Sequence, residues 1–129
     1  MRKKTNLGGI NNFKLTKHFK LSEFQCPCCQ TVKLYPLLVE LLEKLRKETG
    51  SAIYVNSGYR CPSHNAEVGG VKLSYHCKGM AADVYSRKVS VKELGRLAHE
   101  IGFPTVIVYP HQGFIHVDVR EKGLGLVGG

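Results

Sequence analysis

Two runs rich in β-branched residues near the end of the chain constrain the fold more than any other feature. They are TVIVY at 105–109 and FIHVDVR at 114–120, and the turn formers PHQG separate them. Two such runs joined by a short polar turn predict a β-hairpin. The hairpin favours a small antiparallel sheet.

Two amphipathic helices are predicted on the N-terminal side of this hairpin. The first begins at Pro36 and ends before Gly50, since proline suits the first helical turn and glycine the position past the end. The second is SVKELGRLAHEIG, in which Ser90 and Glu93 have the spacing of a capping box. Further elements are strands at 52–56 and 79–86 and a short helix in CPSHNAEVGG. The mixture predicts an α+β fold, a small antiparallel sheet with flanking helices.

The length of 129 residues suits one folded domain. We expect an irregular basic segment at 1–20, the domain at 21–122 and a glycine-rich tail at 123–129. The formal charge of +9 favours anionic surroundings, of which nucleic acid and a bacterial cell wall are two examples. The chain has neither interleaved aromatics nor a nucleic-acid-binding motif, so no nucleic-acid partner is expected.

The N-terminus does not have the pattern of a signal peptide, because MRKK is followed by TNLGGINNF and not by an apolar stretch. No run approaches the ~20 apolar residues that a membrane span needs. We therefore expect a soluble chain without a membrane span. We also expect a monomer, although the sequence carries no signal for the oligomeric state.

Two histidines and an aspartate form a candidate metal site. Alternate residues of a strand share a face, so His116 and Asp118 point the same way. Asp83 lies on the strand at 79–86, and His76 precedes it by seven positions in SYHCKGMAAD. Two imidazoles and one carboxylate, with a fourth position open for water, are typical of catalytic zinc. By spacing alone, these residues could equally be satisfied polar groups near a strand end.

The run SGYRCPSHNAEVGGVKLSYHCKGMAADV, at 57–84, closely resembles the zinc D-alanyl-D-alanine carboxypeptidase family of cell-wall peptidases. The family hallmark Ser-x-His-x-x-Gly-x-Ala-x-Asp is complete in Ser74, His76, Gly79, Ala81 and Asp83. The family pattern is also matched by three further stretches: SGYR, the late HVD, and the opening LSEFQC, which precedes a leucine-rich helix. The resemblance therefore extends over about residues 20–120.

The resemblance implies the small α+β fold that this family shares with hedgehog signalling domains. It makes the domain at 21–122 a zinc peptidase domain, with Zn²⁺ held by His76, Asp83 and His116. It also implies that Arg60 faces the substrate, because a guanidinium grips a carboxylate through two parallel hydrogen bonds. A surface ion pair is the alternative for Arg60. Ser74 would either hydrogen-bond the substrate or buttress its own loop.

The chain departs from the family at the catalytic base. Several members carry a carboxylate or histidine two or three residues before the last zinc histidine, where this chain has Phe114 and Gly113. Asp118, which shares a strand face with His116, and His111, on the turn, are the remaining candidates. Asp118 is favoured over His111, and the absence of any protein base is the third alternative. Asp118 could also act only as an acceptor that orients His116.

The predicted function is hydrolysis of peptidoglycan stem peptides by a zinc-activated water, with Zn²⁺ as cofactor and the peptide as partner. D-Ala-D-Ala carboxypeptidase and endopeptidase action would use the same three ligands, so the bond that is cut stays open. A catalytically inactive, zinc-containing module that binds cell wall or protein is the alternative. A lone domain without a signal peptide is consistent with a phage-encoded lysis enzyme.

Five cysteines, an odd number, argue against a fully paired disulfide framework. Cys26, Cys28 and Cys29 are close together, and Cys61 follows SGYR. A second metal site, a disulfide between this group and Cys61, and free thiols all remain open. Cys77, beside a predicted zinc ligand, is expected to point away from the metal.

Overall fold

A four-stranded antiparallel sheet organises the computed structural model, which describes residues 11–69 and 74–120. The strands are β1 (Ile53–Ser57), β2 (Ala81–Ser86), β3 (Thr105–Tyr109) and β4 (Phe114–Asp118), in the order β1-β2-β4-β3. The helices are α1 (Pro36–Thr49), α2 (Pro62–Glu67) and α3 (Val91–Ile101), with short 3-10 helices at Leu21–Phe24 and Tyr75–Lys78. The predicted α+β class and the β3–β4 hairpin are therefore confirmed.

Both long helices begin and end where their capping residues predict. Pro36 occupies the first turn of α1, and Gly50 ends the helix in the left-handed conformation at φ 67°. At the start of α3, the Ser90 hydroxyl accepts a hydrogen bond from the backbone N–H of Glu93 at 3.1 Å. α3 packs directly on one face of the sheet, and α1 packs against α3.

The core lies between that sheet face and the helices. Alternation along the strands places Ile115 and Val117 of β4, together with Val84 of β2, completely out of solvent. The leucine stripe of α1 packs against them, as do Leu94 and other apolar residues of α3. The opposite sheet face is thus left for polar side chains.

The segment before α1 contributes to the same core. The rings of Phe19 and Phe24 are buried, and their centroids lie 6.0 Å apart. Residues 11–20, which are part of the predicted irregular segment, form only an isolated bridge between Lys14 and Lys20. The predicted tail at 123–129 lies outside the described residues. In the described ranges, no helix is long and apolar enough to cross a membrane.

Candidate metal centre

The three predicted zinc ligands lie together on the polar face of the sheet. The antiparallel register of β2 and β4 pairs Asp83 directly with His116. The Oδ1 atom of Asp83 lies 3.0 Å from Nδ1 of His116 and 3.3 Å from Nε2 of His76. Their ligand atoms all lie within 4.8 Å of one another. Each imidazole therefore directs one ring nitrogen at the same carboxylate oxygen, Oδ1 of Asp83.

A tight turn brings His76 from its loop to the sheet. His76 belongs to the 3-10 helix Tyr75–Lys78, and the Ser74 hydroxyl accepts a hydrogen bond from its backbone N–H at 3.1 Å. Gly79 ends that helix in the left-handed conformation at φ 75°, and β2 starts two residues later. Ser74, which is buried, thus buttresses its own loop.

The outer nitrogen of each imidazole has a hydrogen-bond partner of its own. Nδ1 of His76 lies 2.8 Å from the carbonyl oxygen of Gly58, and Nε2 of His116 lies 2.9 Å from Oδ2 of Asp118. A carbonyl and an ionised carboxylate can only accept, so both outer nitrogens carry hydrogen. In neutral imidazoles, the inner nitrogens then direct lone pairs at Asp83. Three acceptors facing one another repel unless a metal ion or a proton lies between them.

The distances and donor types fit a zinc ion. Zn–N bonds of about 2.0–2.1 Å in a tetrahedral site place neighbouring ligand atoms about 3.3 Å apart. The nitrogen–oxygen separations of 3.0 and 3.3 Å are close to that value. Hydrogen bonds from ligating histidines to outer acceptors are the usual way in which metal sites fix the ring orientation. His76, Asp83 and His116 are therefore suited to hold Zn²⁺.

The candidate centre forms the wall of a cavity of about 510 Å³. The other lining residues are Arg60, Val68, Gly69, Ser74, Tyr109, Gln112 and Phe114. The rings of Tyr109 and Phe114 stack with centroids 4.9 Å apart. Sequence reasoning did not identify Tyr109, although the register of the hairpin, which pairs it with Phe114, could have found it. The centre thus faces a cavity that has an aromatic wall.

A family model described as Peptidase M15 matches residues 17–118, which include all three candidate ligands. The chain belongs to the peptidase M15 family. Its resemblance to the zinc D-alanyl-D-alanine carboxypeptidases and its hedgehog/DD-peptidase-like fold are thereby confirmed. Members of the peptidase M15 family are metal-dependent, typically with zinc. A comparison with curated proteins finds no match.

The glycine of the M15 hallmark has a steric reason in this chain. A Cβ atom at Gly79 would lie 2.4 Å from the backbone oxygen of Lys33, and the φ of 75° disfavours any L side chain. The backbone N–H of Tyr35 also donates to the Gly79 carbonyl at 2.9 Å. Gly79 therefore lets the loop that carries His76 lie directly against the segment before α1.

We expect Gly79→Ala to destabilise the fold by roughly 3 kcal/mol or more, since left-handed strain and a backbone clash add. Gly50→Ala is the matched control, because Gly50 has a similar φ of 67° with no atom within 4 Å of its Cβ position. That control should lose only about 1–2 kcal/mol. Urea unfolding measures both free energies. Equal losses in the two variants would contradict the close approach at Gly79.

Arg60 lies in the wall of the M15 site beside a candidate ligand. Its guanidinium donates to Ser57 Oγ and to Asn65 Oδ1, each at 3.1 Å, and lies 3.4 Å from Asp83 Oδ2. Only 15% of the side chain is exposed. The ion pair that the sequence left as an alternative is thus present, but it is largely buried and borders the cavity.

The two candidate bases lie in opposite environments. Asp118 is completely buried, and Arg120 donates to its Oδ1 at 2.9 Å and to its Oδ2 at 2.6 Å. Burial opposes ionisation of Asp118, but the hydrogen bonds from Arg120 and His116 outweigh it and hold the pKa well below the usual range. His111 is exposed on the β3–β4 turn. In the described residues, its neighbour Gln112 lines the cavity and His111 does not.

The charges of the metal-free centre favour a proton where the metal would bind. Burial opposes the charge on His116, but hydrogen bonds to Asp118 and Asp83 outweigh it and raise the pKa of His116 to about 9. Burial likewise opposes ionisation of Asp83, yet hydrogen bonds with His116 and His76 lower the pKa of Asp83 to about 2. A proton on His116 and a metal ion therefore compete for the same lone pair.

We expect metal binding at this centre at pH 7 to release close to one proton, and its zinc affinity to rise with pH until it levels off near pH 9. The proton also stabilises the metal-free fold, because the pKa of about 9 exceeds the ~6.5 of an unfolded histidine. That stability is complete below about pH 6.5 and is lost as the pH rises through about 9. Titration calorimetry in buffers of different ionisation enthalpy, compared between the parent chain and His116→Ala, counts the protons released at this centre. Zero release at pH 7 would contradict the assignment.

Proposed function

We propose that this chain is a zinc-dependent peptidase that hydrolyses the stem peptides of peptidoglycan. The arrangement of two imidazoles around Asp83 Oδ1, at the wall of an open cavity of about 510 Å³, supports this most directly. Bound Zn²⁺ would lower the pKa of a water molecule and polarise the scissile carbonyl. The family match supports a peptide substrate.

Arg60 is the group best placed to orient such a substrate. Within the described part of the chain, its contacts with Ser57, Asn65 and Asp83 use three of its five N–H groups. The remaining donors can bind a carboxylate or a developing oxyanion in the cavity. Ser74, which also lines the cavity, can donate its hydroxyl hydrogen to the peptide. The net charge of +9 would help to hold the chain on an anionic wall.

We infer that Asp118 orients His116 and does not itself take a proton from water. Asp118 is completely buried and paired with Arg120, whose guanidinium lies over the Tyr75 ring at 4.3 Å. Apart from the three candidate ligands, the cavity lining in the described residues holds no carboxylate or imidazole. The proton acceptor would then be His111, reached across its turn, or solvent.

The test is a digest of purified peptidoglycan with the zinc-loaded protein, read by mass spectrometry beside a sample stripped with a chelator and one reloaded with Zn²⁺. Loss of a terminal alanine only with zinc supports carboxypeptidase action. Release of whole stem peptides or cleavage of cross-links supports endopeptidase action. No product from a protein that holds zinc at this centre would overturn the proposed hydrolysis.

A zinc-containing binding module is the second candidate. Gly113 and Phe114, at the positions where several family members carry a base, favour it because neither side chain can transfer a proton. Pull-down of the zinc-loaded, inactive protein with insoluble peptidoglycan would support this function. A turnover that is zinc-dependent would exclude it.

A further inference from the structure

Four of the five cysteines, none of which the proposed function uses, form a second cluster. Cys26, Cys28, Cys29 and Cys61 offer Sγ atoms that all lie within 4.8 Å of one another. The Sγ atom of Cys61 lies 3.7 Å from that of Cys26 and 3.3 Å from that of Cys28. The Sγ atoms of Cys26 and Cys28 are 3.5 Å apart. The chain thus brings thiols that are 35 residues apart in sequence to one point.

These separations match ligands around a single ion. Four sulfurs at about 2.3 Å from a tetrahedral zinc ion would lie about 3.8 Å apart. A disulfide would instead need one pair at about 2.05 Å, and all four cysteines are free. The cluster therefore has the size of a four-thiolate metal site.

The backbone around the thiols is built to hold them. A turn closes on itself through hydrogen bonds from Cys26 N–H to Thr31 O and from Gln30 N–H to Cys26 O, both 2.8 Å. Gln30 has a φ of 62°, the one positive φ of a non-glycine residue in the ranges 11–69 and 74–120. Holding a non-glycine residue there costs energy, and such backbone strain concentrates at functional sites.

Backbone N–H groups also point at two of the sulfurs. Cys61 N–H lies 3.5 Å from the Sγ of Cys26, and His64 N–H lies 3.5 Å from the Sγ of Cys61. Donors of this kind stabilise the thiolate form, which is the form that binds metal. Cys61 is at the same time the cap of α2.

We propose that Cys26, Cys28, Cys29 and Cys61 hold a second, structural Zn²⁺ ion. Soft thiolates select zinc over harder cations, and four protein ligands leave no open position for catalysis. The ion joins the 26–29 turn to the segment that ends at Cys61. This site is separate from His76, Asp83 and His116 and does not depend on the proposed hydrolysis.

The second ion would stabilise the segment that supports the candidate metal centre. Between the two sites runs the segment 58–60, whose Tyr59 N–H donates to Phe24 O at 2.8 Å. Gly58 holds the ring of His76 through its carbonyl oxygen, and Arg60 contacts Asp83. A metal cross-link at Cys61 would therefore fix the positions of two residues. One is Gly58, which orients the candidate ligand His76, and the other is Arg60, which pairs with the candidate ligand Asp83.

The experiment uses the full chain, purified under reducing conditions and loaded with zinc or with cobalt. We expect two zinc ions per chain and, with cobalt, an intense thiolate-to-cobalt charge-transfer absorption. The double variant Cys28→Ser/Cys29→Ser should bind one zinc and lose that absorption. Both side chains are exposed, so their loss removes little packing. We also expect the melting temperature of this variant to fall by about 10 °C.

Cys77→Ser is the matched control, since Cys77 belongs to neither group of candidate ligands in the described residues. It should keep two zinc ions and the charge-transfer absorption. His116→Ala should keep the absorption and lose the other ion, which separates this proposal from the proposed peptidase activity. One zinc per wild-type chain without charge transfer, a disulfide in the reduced preparation, or iron in place of zinc would overturn the assignment.

Discussion

Asp83→Asn is expected to remove zinc from the candidate centre and to lower peptidoglycan hydrolysis by about 10³-fold or more, the scale of several kcal/mol of metal-derived stabilisation. The substitution keeps the size of the side chain but removes the charge that both imidazoles face. Asp83 is buried and its pKa is about 2, so it is fully ionised at pH 7. An amide in its place offers a neutral and weaker ligand for zinc, and its N–H₂ group can occupy the position where the ion would bind.

The measurements are zinc content by mass spectrometry and turnover of isolated muropeptides. Glu93→Gln is the matched control, because it makes the same chemical change at a partly exposed carboxylate that pairs with Arg96 on α3, away from the cavity lining. The control should keep both zinc and activity. Full activity and full zinc occupancy in Asp83→Asn would remove Asp83 from the ligand set and with it the proposed centre.

Local chemistry is what made much of this fold predictable. The hairpin follows from alternation in FIHVDVR, and both long helices follow from their caps at Pro36, Gly50 and Ser90. Boundaries differed where a backbone constraint intervened. The strand predicted from residue 79 begins at Ala81, because Gly79 takes a left-handed φ.

The candidate ligands could be predicted because a motif and a strand period place them, but their supports could not. The contact between the Gly58 carbonyl and the ring of His76 joins residues 18 positions apart and depends on tertiary packing. Strand alternation correctly put Asp118 on the face of His116, yet it gave no sign that the carboxylate would be completely buried and paired with Arg120. The convergence of Cys61 on Cys26 likewise depends on tertiary packing. Contacts between residues distant in sequence are absent from any local pattern.

Asp118→Asn separates the two roles that the sequence left open for Asp118. If Asp118 orients His116, the variant should bind zinc about 10–100-fold more weakly, as is usual for a changed partner of a ligating histidine. The amide oxygen of the introduced asparagine can still accept from Nε2 of His116, so excess zinc should restore most of the activity. If Asp118 is the base, zinc affinity should stay unchanged, and the zinc-saturated variant should remain inactive.

Zinc titration followed by kcat and KM at saturating metal distinguishes these outcomes. If Asp118 orients His116, Asp118→Asn should have a higher zinc dissociation constant and a kcat near that of the parent chain. If Asp118 transfers the proton, only kcat should fall. Arg120→Gln is the companion variant, since it removes the two charged hydrogen bonds to Asp118 without touching the cavity lining. If Asp118 orients His116, Arg120→Gln should bind zinc more weakly than the parent chain, as Asp118→Asn should. An unchanged zinc affinity in both variants, with kcat lost in Asp118→Asn, would make Asp118 the base despite its burial.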